Sequence, residues 1–539
     1  PLKQTSQVIV PRDYDLWWAA AEAVLRVGGS TRTKVRGLLR MYHPRVHFRK
    51  EVHAALKLPL IPVAQHVTLS RAWEALLAVF AALGVERIRW GGRRENGFRV
   101  GLSRLAHWFL RVAAHSGVGH LMGTLKDIAS SARMSAVTGA RPSKELMFFL
   151  RCQPWLSTES GLEQLSYLGR ALPEGDSFVA RRSLREHRSA MLSPAKTPPE
   201  ILSWTTRYVA RFFARNSVPI DEFTPASPSA SVGRGRRAGG TREQVRRDWR
   251  GWLRETGVGP ADLDALLDRL DPSSEDSMVI ISNSVSQPVA RAAAHMTRAA
   301  PLSHRVCCVA ERGWKQRIVS APPAHASVAG TVLNRALLAA LRKESRCKRF
   351  LAGDRYTAIE EAMSCWKPGS IVVSTDLKNA SDRMPLDFVE AIVNGIILGW
   401  EGLPPVWAEA LRSLTGPQLL TYPWGEVINS ERGVLMGLGP TWPILSLAHL
   451  VWVDYSASRS GSSHVAFRST SLGGDDLIAA WPPRMLSAYA ETMGRCGGAF
   501  SKGKAYFHPA GGNFTEISFW MSQVNSKARI RWATGIPLK

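Results

Sequence analysis

The chain has 539 residues, 45% of them hydrophobic and 21% charged, an ordinary globular balance that excludes wholesale disorder and fibrous folds. Lys and Arg total 70 against 44 Asp and Glu, a formal net charge of +26; this points to a polyanionic partner, nucleic acid before a membrane surface, since no basic amphipathic anchor is evident. Six cysteines without a C-x-x-C spacing exclude a disulfide scaffold and a zinc module, and no apolar run of roughly 18 residues reads as a transmembrane helix.

Residues 1–217 read as a basic, helix-rich region. Apolar residues recur with helical period over 17–26 and 72–83. Arg32, Lys34, Arg36, Arg40, Arg45, Arg49 and Lys50 stand without an intervening acid, and Arg87, Arg89, Arg93, Arg94 and Arg99 flank Trp90 and Phe98. Such patches suit phosphate contact with base stacking; a solvated basic face is the plain alternative. Residues 218–245, rich in Pro, Ser, Gly and Arg, are expected to form a flexible loop or linker. Helices are expected at 242–255 and 261–270. From about residue 301 short β-rich runs appear at 305–310, 318–320, 371–375, 464–472 and 477–480. Helical segments such as 327–343 and 385–398 separate them. The alternation predicts an α+β core with chemistry at strand ends.

The sharpest local feature is Gly473-Gly474-Asp475-Asp476, followed by the apolar run Leu477-Ile478-Ala479-Ala480. This predicts a hairpin whose turn presents two adjacent carboxylates. Their mutual repulsion calls for a cation, although an ordinary turn explains a lone Gly-Asp-Asp equally well. Upstream, the strand-like run Ile371-Val372-Val373 leads into Asp376. A carboxylate there can meet the hairpin across a sheet, and hard divalent ions held by Asp376 and Asp475 suit an in-line displacement at phosphorus. A helix N-cap is the plain reading of Asp376 alone.

Asp376-x5-Asp382 with Gly474-Asp475-Asp476 resembles motifs A and C of viral RNA-dependent RNA polymerases. The stretch STDLKNASDRMP resembles the narnavirus, ourmiavirus and levivirus-related group. In order, Glu311-Arg312-Gly313-Trp314-Lys315-Gln316-Arg317 resembles motif F and Gly433–Pro443 motif B. Lys502–Lys504, and then GGNFTE ending at Glu516, resemble motifs D and E. The resemblance covers about 305–520.

It implies residue roles. Asp376, Asp475 and Asp476 would hold Mg²⁺, or Mn²⁺. Lys315 and Arg317, on one face of a strand, would meet the incoming triphosphate. Asp382 would read the ribose 2′-hydroxyl. Gly437 and Thr441 would border the nucleotide, with a helix N-cap the plain reading of Thr441. Lys504, with Lys502 its rival, would protonate the leaving pyrophosphate. Arg312 and Glu516 would contact RNA or the priming strand. Where many plus-strand polymerases carry Asn, this chain has Leu445, as in the phage-like branch; Ser446 and His449 remain candidates for the missing sugar contact, with a satisfied core histidine the plain reading of His449. A reverse transcriptase is disfavoured by Gly474 and Asp382, where that class places a Tyr and a bulky aromatic. A non-catalytic RNA-binding protein leaves the carboxylates unexplained.

The resemblance further implies a right-hand fold. Residues 1–217 and 246–369 would contribute the fingers. Residues 370–520 would form the palm, with 385–457 interleaved, and 521–539 a short thumb or truncated end. Partners would be template and product RNA, NTPs and unidentified host factors, with no membrane anchor, in the host cytoplasm rather than the mitochondrion. The start at Pro1 and the short stretch after Asp476 suggest a chain trimmed at either end.

Overall fold

The computed structural model describes residues 59, 61–82, 93–222, 227, 229–258, 275–298, 301–501, 503–524 and 527–533. The expected helices at 17–26 and 261–270, the basic cluster at 32–50, and Arg87, Arg89 and Trp90 lie outside the described residues. In chain order the strands are β1 (Ser303–Glu311), β2 (Lys315–Ala321), β3 (Ile371–Thr375), β4 (Leu419–Thr421), β5 (Val427–Asn429), β6 (Thr470–Gly473), β7 (Asp476–Trp481), β8 (Tyr506–His508), β9 (Gly511–Phe514), β10 (Ile517–Val524) and β11 (Lys527–Trp532).

The sheet that positions the carboxylates has the order β6-β7-β3-β8, antiparallel at every pair. Its β-branched central strand, β3, alternates between two cores. Val373, Leu477 and Ala479 face the main core, which includes helices Ala324–Leu341, Leu386–Gly399 and Thr441–Arg459. Val372, Ile478 and Ala480 face the other way, onto helix Arg355–Met363 and Phe514, Phe519 and Met521 of the β11-β10-β9 sheet. The third sheet, β2-β1-β4-β5, carries the β1–β2 hairpin. The expected α+β class with a helix-rich N-terminal region is therefore the one the chain adopts; the sheet that carries the carboxylates is antiparallel throughout, whereas β1 and β4 pair parallel.

The N-terminal helices, including Val63–Ala82, Arg93–Ser116, Val118–Thr138, Lys144–Cys152 and Glu159–Ser166, bury a separate core around Trp73, Phe80, Phe109, Leu125 and Phe149. Trp314, from the three-residue loop of the β1–β2 hairpin, joins this core at 7% exposure. Its φ of 50° is unusual for a bulky side chain; the loop is held there by Gly313 N–H and Trp314 N–H donating to the carbonyls of Leu172 and Pro173, both at 2.7 Å. The same helices reach the C-terminal sheet. Trp520 Nε1 donates to the Ala136 carbonyl at 3.1 Å, and Tyr167 Oη donates to the Glu516 carbonyl at 3.0 Å.

Three expectations differ from the structure. The run 464–472 is not one strand: Ser463–Arg468 is helical and only Thr470–Gly473 enters the sheet. Residues Val465 and Phe467 favour a strand locally, but Ala466 is buried in the main core, and its N–H donates to the Ser462 carbonyl to close a helical turn. The described part of 218–245 is tied down rather than loose. Ser231 is fully buried, Val232 N–H donates to the Pro322 carbonyl, and helix Gly240–Thr256 begins inside the segment. Small polar residues here supply tertiary hydrogen bonds instead of freedom. The expected boundary at 520 falls inside β10, which runs on to pair with β11.

Candidate active site

Antiparallel register fixes the carboxylates. Thr375 pairs with Leu477 and Gly473 with Asp476, so Asp376 leaves β3 at the end of the sheet where Asp476 enters β7. Gly474 and Asp475 form the two-residue hairpin loop between β6 and β7. Gly474 has φ 63° while Asp475 keeps negative φ, the pattern of a type II′ turn with Gly first. Two aromatic rings lie beneath. Phe350 and Trp442 stack at 6.1 Å, and a Cβ on Gly473 or Gly474 would lie 2.2 Å from Phe350 or 2.4 Å from Trp442 Nε1. Only glycines admit the hairpin this close.

The carboxylates sense one another. Burial, followed by the charges of Asp475 and Asp376, pushes the Asp476 carboxyl up to about 7, against Lys504 and Arg355. Burial also raises Asp475, with Asp376 adding to the shift while the backbone, Lys504 and Arg317 oppose it. Asp376 is held by its own chain: its carbonyl accepts from Ser501 N–H at 2.8 Å, and its Oδ2 pairs with Lys504 Nζ at 2.8 Å. An all-oxygen, desolvated, mutually repelling donor set fits a hard divalent cation rather than zinc. Among the described residues, no group of three or more His, Cys, Asp or Glu side chains is already drawn together as a metal cage.

Lys315 and Arg317 do share a face of β2, and both meet Glu311 on β1, Lys315 Nζ at 3.2 Å and Arg317 Nε at 2.7 Å. Burial pushes the Glu311 carboxyl up, but the two cations outweigh it and leave it below the ordinary value. Ser320 N–H, at the other end of β2, donates to the Met436 carbonyl at 2.8 Å. Next to it, Gly437 has φ 118°, and a Cβ there would lie 2.3 Å from the Ser320 carbonyl oxygen. The Gly433–Val434 backbone lies against the Ser381–Arg383 turn, with Val434 N–H donating to the Ser381 carbonyl at 3.0 Å. That turn carries Asp382.

These segments also match known proteins. The family model for the Mitovirus RNA-dependent RNA polymerase matches residues 276–516. The RNA-directed RNA polymerase of Saccharomyces 23S RNA narnavirus is 32% identical over 408 residues, 72% of this chain and 42% of that protein. The chain is a homologue of the narnavirus RNA-directed RNA polymerases. Its counterpart from Saccharomyces 20S RNA narnavirus is 31% identical over 467 residues, 83% of this chain and 53% of the relative. The chain thus spans about half the length of the curated relatives it matches. Among solved structures, the RNA-dependent RNA polymerase of a human picobirnavirus aligns with TM-score 0.43 and 12% identity over 64% of this chain and 62% of that one.

In this polymerase homologue Asp376, Asp475, Asp476, Lys504 and Arg317 form one electrostatically coupled group, and Lys315 shares Glu311 with Arg317. Lys502 lies outside the described residues. Thr441 is the first residue of helix Thr441–Arg459, and Pro440, not Thr441, occupies the N-cap. The Thr441 hydroxyl donates to the Leu435 carbonyl at 2.6 Å, closing the glycine-rich loop. Glu516 sits at φ 73° and pairs with Arg170 of the N-terminal helices.

Ser446 and His449 turn out to grip the carboxylate turn. Gly474 N–H donates to Ser446 Oγ at 2.8 Å. His449 Nδ1 lies 3.0 Å from the Gly474 carbonyl, which only accepts, so Nδ1 carries the proton and Nε2 accepts from Tyr489 Oη at 2.6 Å. Burial lowers His449 to about 4, so the ring is neutral at physiological pH. Polar residues three apart in the otherwise apolar run 444–453 were the visible signal; the partner, a turn 25 residues downstream of His449, was not.

Asp382 gives a stability prediction. Burial raises its carboxyl from 3.8 to about 6, against a hydrogen bond from Ser381. The native state therefore holds this proton more tightly than the unfolded state, and stability falls as pH rises from about 4 to about 6 and stays lower above that. Asp382→Asn removes the buried charge. Thermal melts at pH 7.5 should show the variant more stable by about 2 kcal/mol, with the advantage gone at pH 4.

Proposed function

We propose that the chain catalyses template-directed RNA synthesis from NTPs, replicating a positive-strand RNA genome in the host cytoplasm. The observation that carries the reading is the antiparallel β3–β7 register, which brings Asp376 and the Gly474-Asp475-Asp476 turn to one sheet end beside Lys504 and Arg317. Asp376 and Asp475, with Asp476, would hold Mg²⁺ or Mn²⁺, which when bound supplies Lewis-acid stabilisation of phosphoryl oxygens.

The chain's own residues do the rest. Lys315 and Arg317 exchange Glu311 for the triphosphate and offset its charge. The primer 3′-oxygen attacks the α-phosphorus, losing its proton to water, while the bond from the α-phosphorus to the bridging oxygen of the β-phosphate breaks. Lys504 hands a proton to the departing pyrophosphate. Asp382, against the glycine-rich loop, reads the ribose 2′-hydroxyl. Template and product bind mainly through phosphate contacts to the basic surface.

Purified protein on a defined RNA template, offered rNTPs or dNTPs, tests this reading. We expect RNA synthesis from rNTPs and at least about 10-fold weaker use of dNTPs, reflecting lost hydrogen bonding to the 2′-hydroxyl. A preference for dNTPs would replace the reading with a reverse transcriptase.

A further inference from the structure

The N-terminal helix Val118–Thr138 lies outside the 276–516 family match, yet it crosses the catalytic face. Lys126 Nζ donates to the Trp314 carbonyl at 3.0 Å, next to Lys315. One turn later, a Cβ on Gly503 would lie 3.2 Å from Ser130, next to Lys504. Positions 126 and 130 share a helix face, so this face spans from the triphosphate hairpin to the loop of Lys504.

Lys315 is paired with Glu311 and Lys504 with Asp376. Lys126 has no carboxylate within ion-pair distance among the described residues; its sequence neighbour Asp127 acts on it only through its charge. Its half-buried ammonium is pulled below the ordinary lysine value by burial and then by Lys315 and Lys504, against the opposing charge of Asp127. One of its three N–H donors is spent on Trp314, leaving two free to meet a ligand. Lys126, Lys315 and Lys504, from distant parts of the chain, converge, and of the three Lys126 alone has no ion-pair partner among the described residues. An arrangement of this kind is stabilised by a polyanion placed among the lysines.

We propose that Lys126 binds the phosphate chain of the incoming nucleotide and the departing pyrophosphate, as a third cation beside Lys315 and Lys504. The inference rests on the polymerase reading of the site but has a readout of its own. Phosphate could equally come from the RNA backbone, so the test separates the two sources.

Lys126→Met keeps the aliphatic stem and loses the ammonium; Lys126→Arg restores a cation. Pyrophosphate binding to the full chain is measured by calorimetry, without turnover. KM and kcat for single-nucleotide addition, RNA affinity and melting temperature are measured alongside. Lys126→Met should weaken pyrophosphate binding and raise the NTP KM at least about 10-fold each, with RNA affinity and melting temperature unchanged and partial recovery in Lys126→Arg. Weakened RNA affinity with normal pyrophosphate binding would overturn the inference in favour of a phosphodiester contact. A lower kcat and melting temperature with normal pyrophosphate binding would reduce Lys126 to a cap on the Trp314 carbonyl, and also overturn it. If wild type makes no RNA yet binds pyrophosphate through Lys126, the polymerase reading fails and this inference stands. If wild type binds no pyrophosphate, the inference fails.

Discussion

Asp475→Asn is expected to stop nucleotide addition, by on the order of 10³-fold or more, while RNA binding stays intact. Asn keeps the shape of the side chain but lacks the charge that attracts a hard cation. The two effects separate because RNA affinity comes from a net charge of +26 spread over the chain, against which one carboxylate is minor. Folding should not suffer. Burial and Asp376 already disfavour the charged form of Asp475, so a neutral side chain relieves that penalty above the raised pKa and leaves it unchanged well below. The variant should melt at the same temperature as wild type or higher near neutral pH. Incorporation of labelled NTP, RNA binding across a salt series and a thermal melt check the three parts. RNA synthesis at the wild-type rate would remove Asp475 from the catalytic group.

The carboxylates were legible because their signals are local. A β-branched run ending in Asp376 and a Gly-Gly-Asp-Asp turn each announce an element, and β3 begins and ends at the residues expected, Ile371 and Thr375. Lys315 and Arg317 were legible for the same reason, since alternate residues of a strand share a face. What surrounds them was not. The partner of Ser446 and His449 depends on where helix Thr441–Arg459 lies against the β6–β7 turn. Their polarity invited a substrate role, whereas the folded chain spends it on the Gly474 backbone. Lys126 carries no motif: its neighbours Lys315 and Lys504 are hundreds of residues away, and only tertiary packing joins them. The helix at Ser463–Arg468 was misread because local β-propensity lost to the burial of Ala466.

The same tertiary dependence makes Gly474 a second site of large effect. Gly474→Ala should lower stability by about 2–4 kcal/mol and RNA synthesis by on the order of 10²-fold or more. Two costs combine. A positive φ of 63° strains any L side chain, and the new Cβ would sit 2.4 Å from Trp442 Nε1. The half-buried indole stacks on Phe350, so making room for the new Cβ costs that stacking. If the turn moves instead, Gly474 N–H leaves Ser446 Oγ and its carbonyl leaves His449, and Asp475 moves with them. A double-mutant cycle with Trp442→Ala separates the two costs. Relief of the clash should make the double variant more stable than the sum of the single losses predicts, by about 1–2 kcal/mol, with activity still low because the grip on Gly474 is not rebuilt. Strict additivity would assign the loss to backbone strain alone and leave the indole as a bystander.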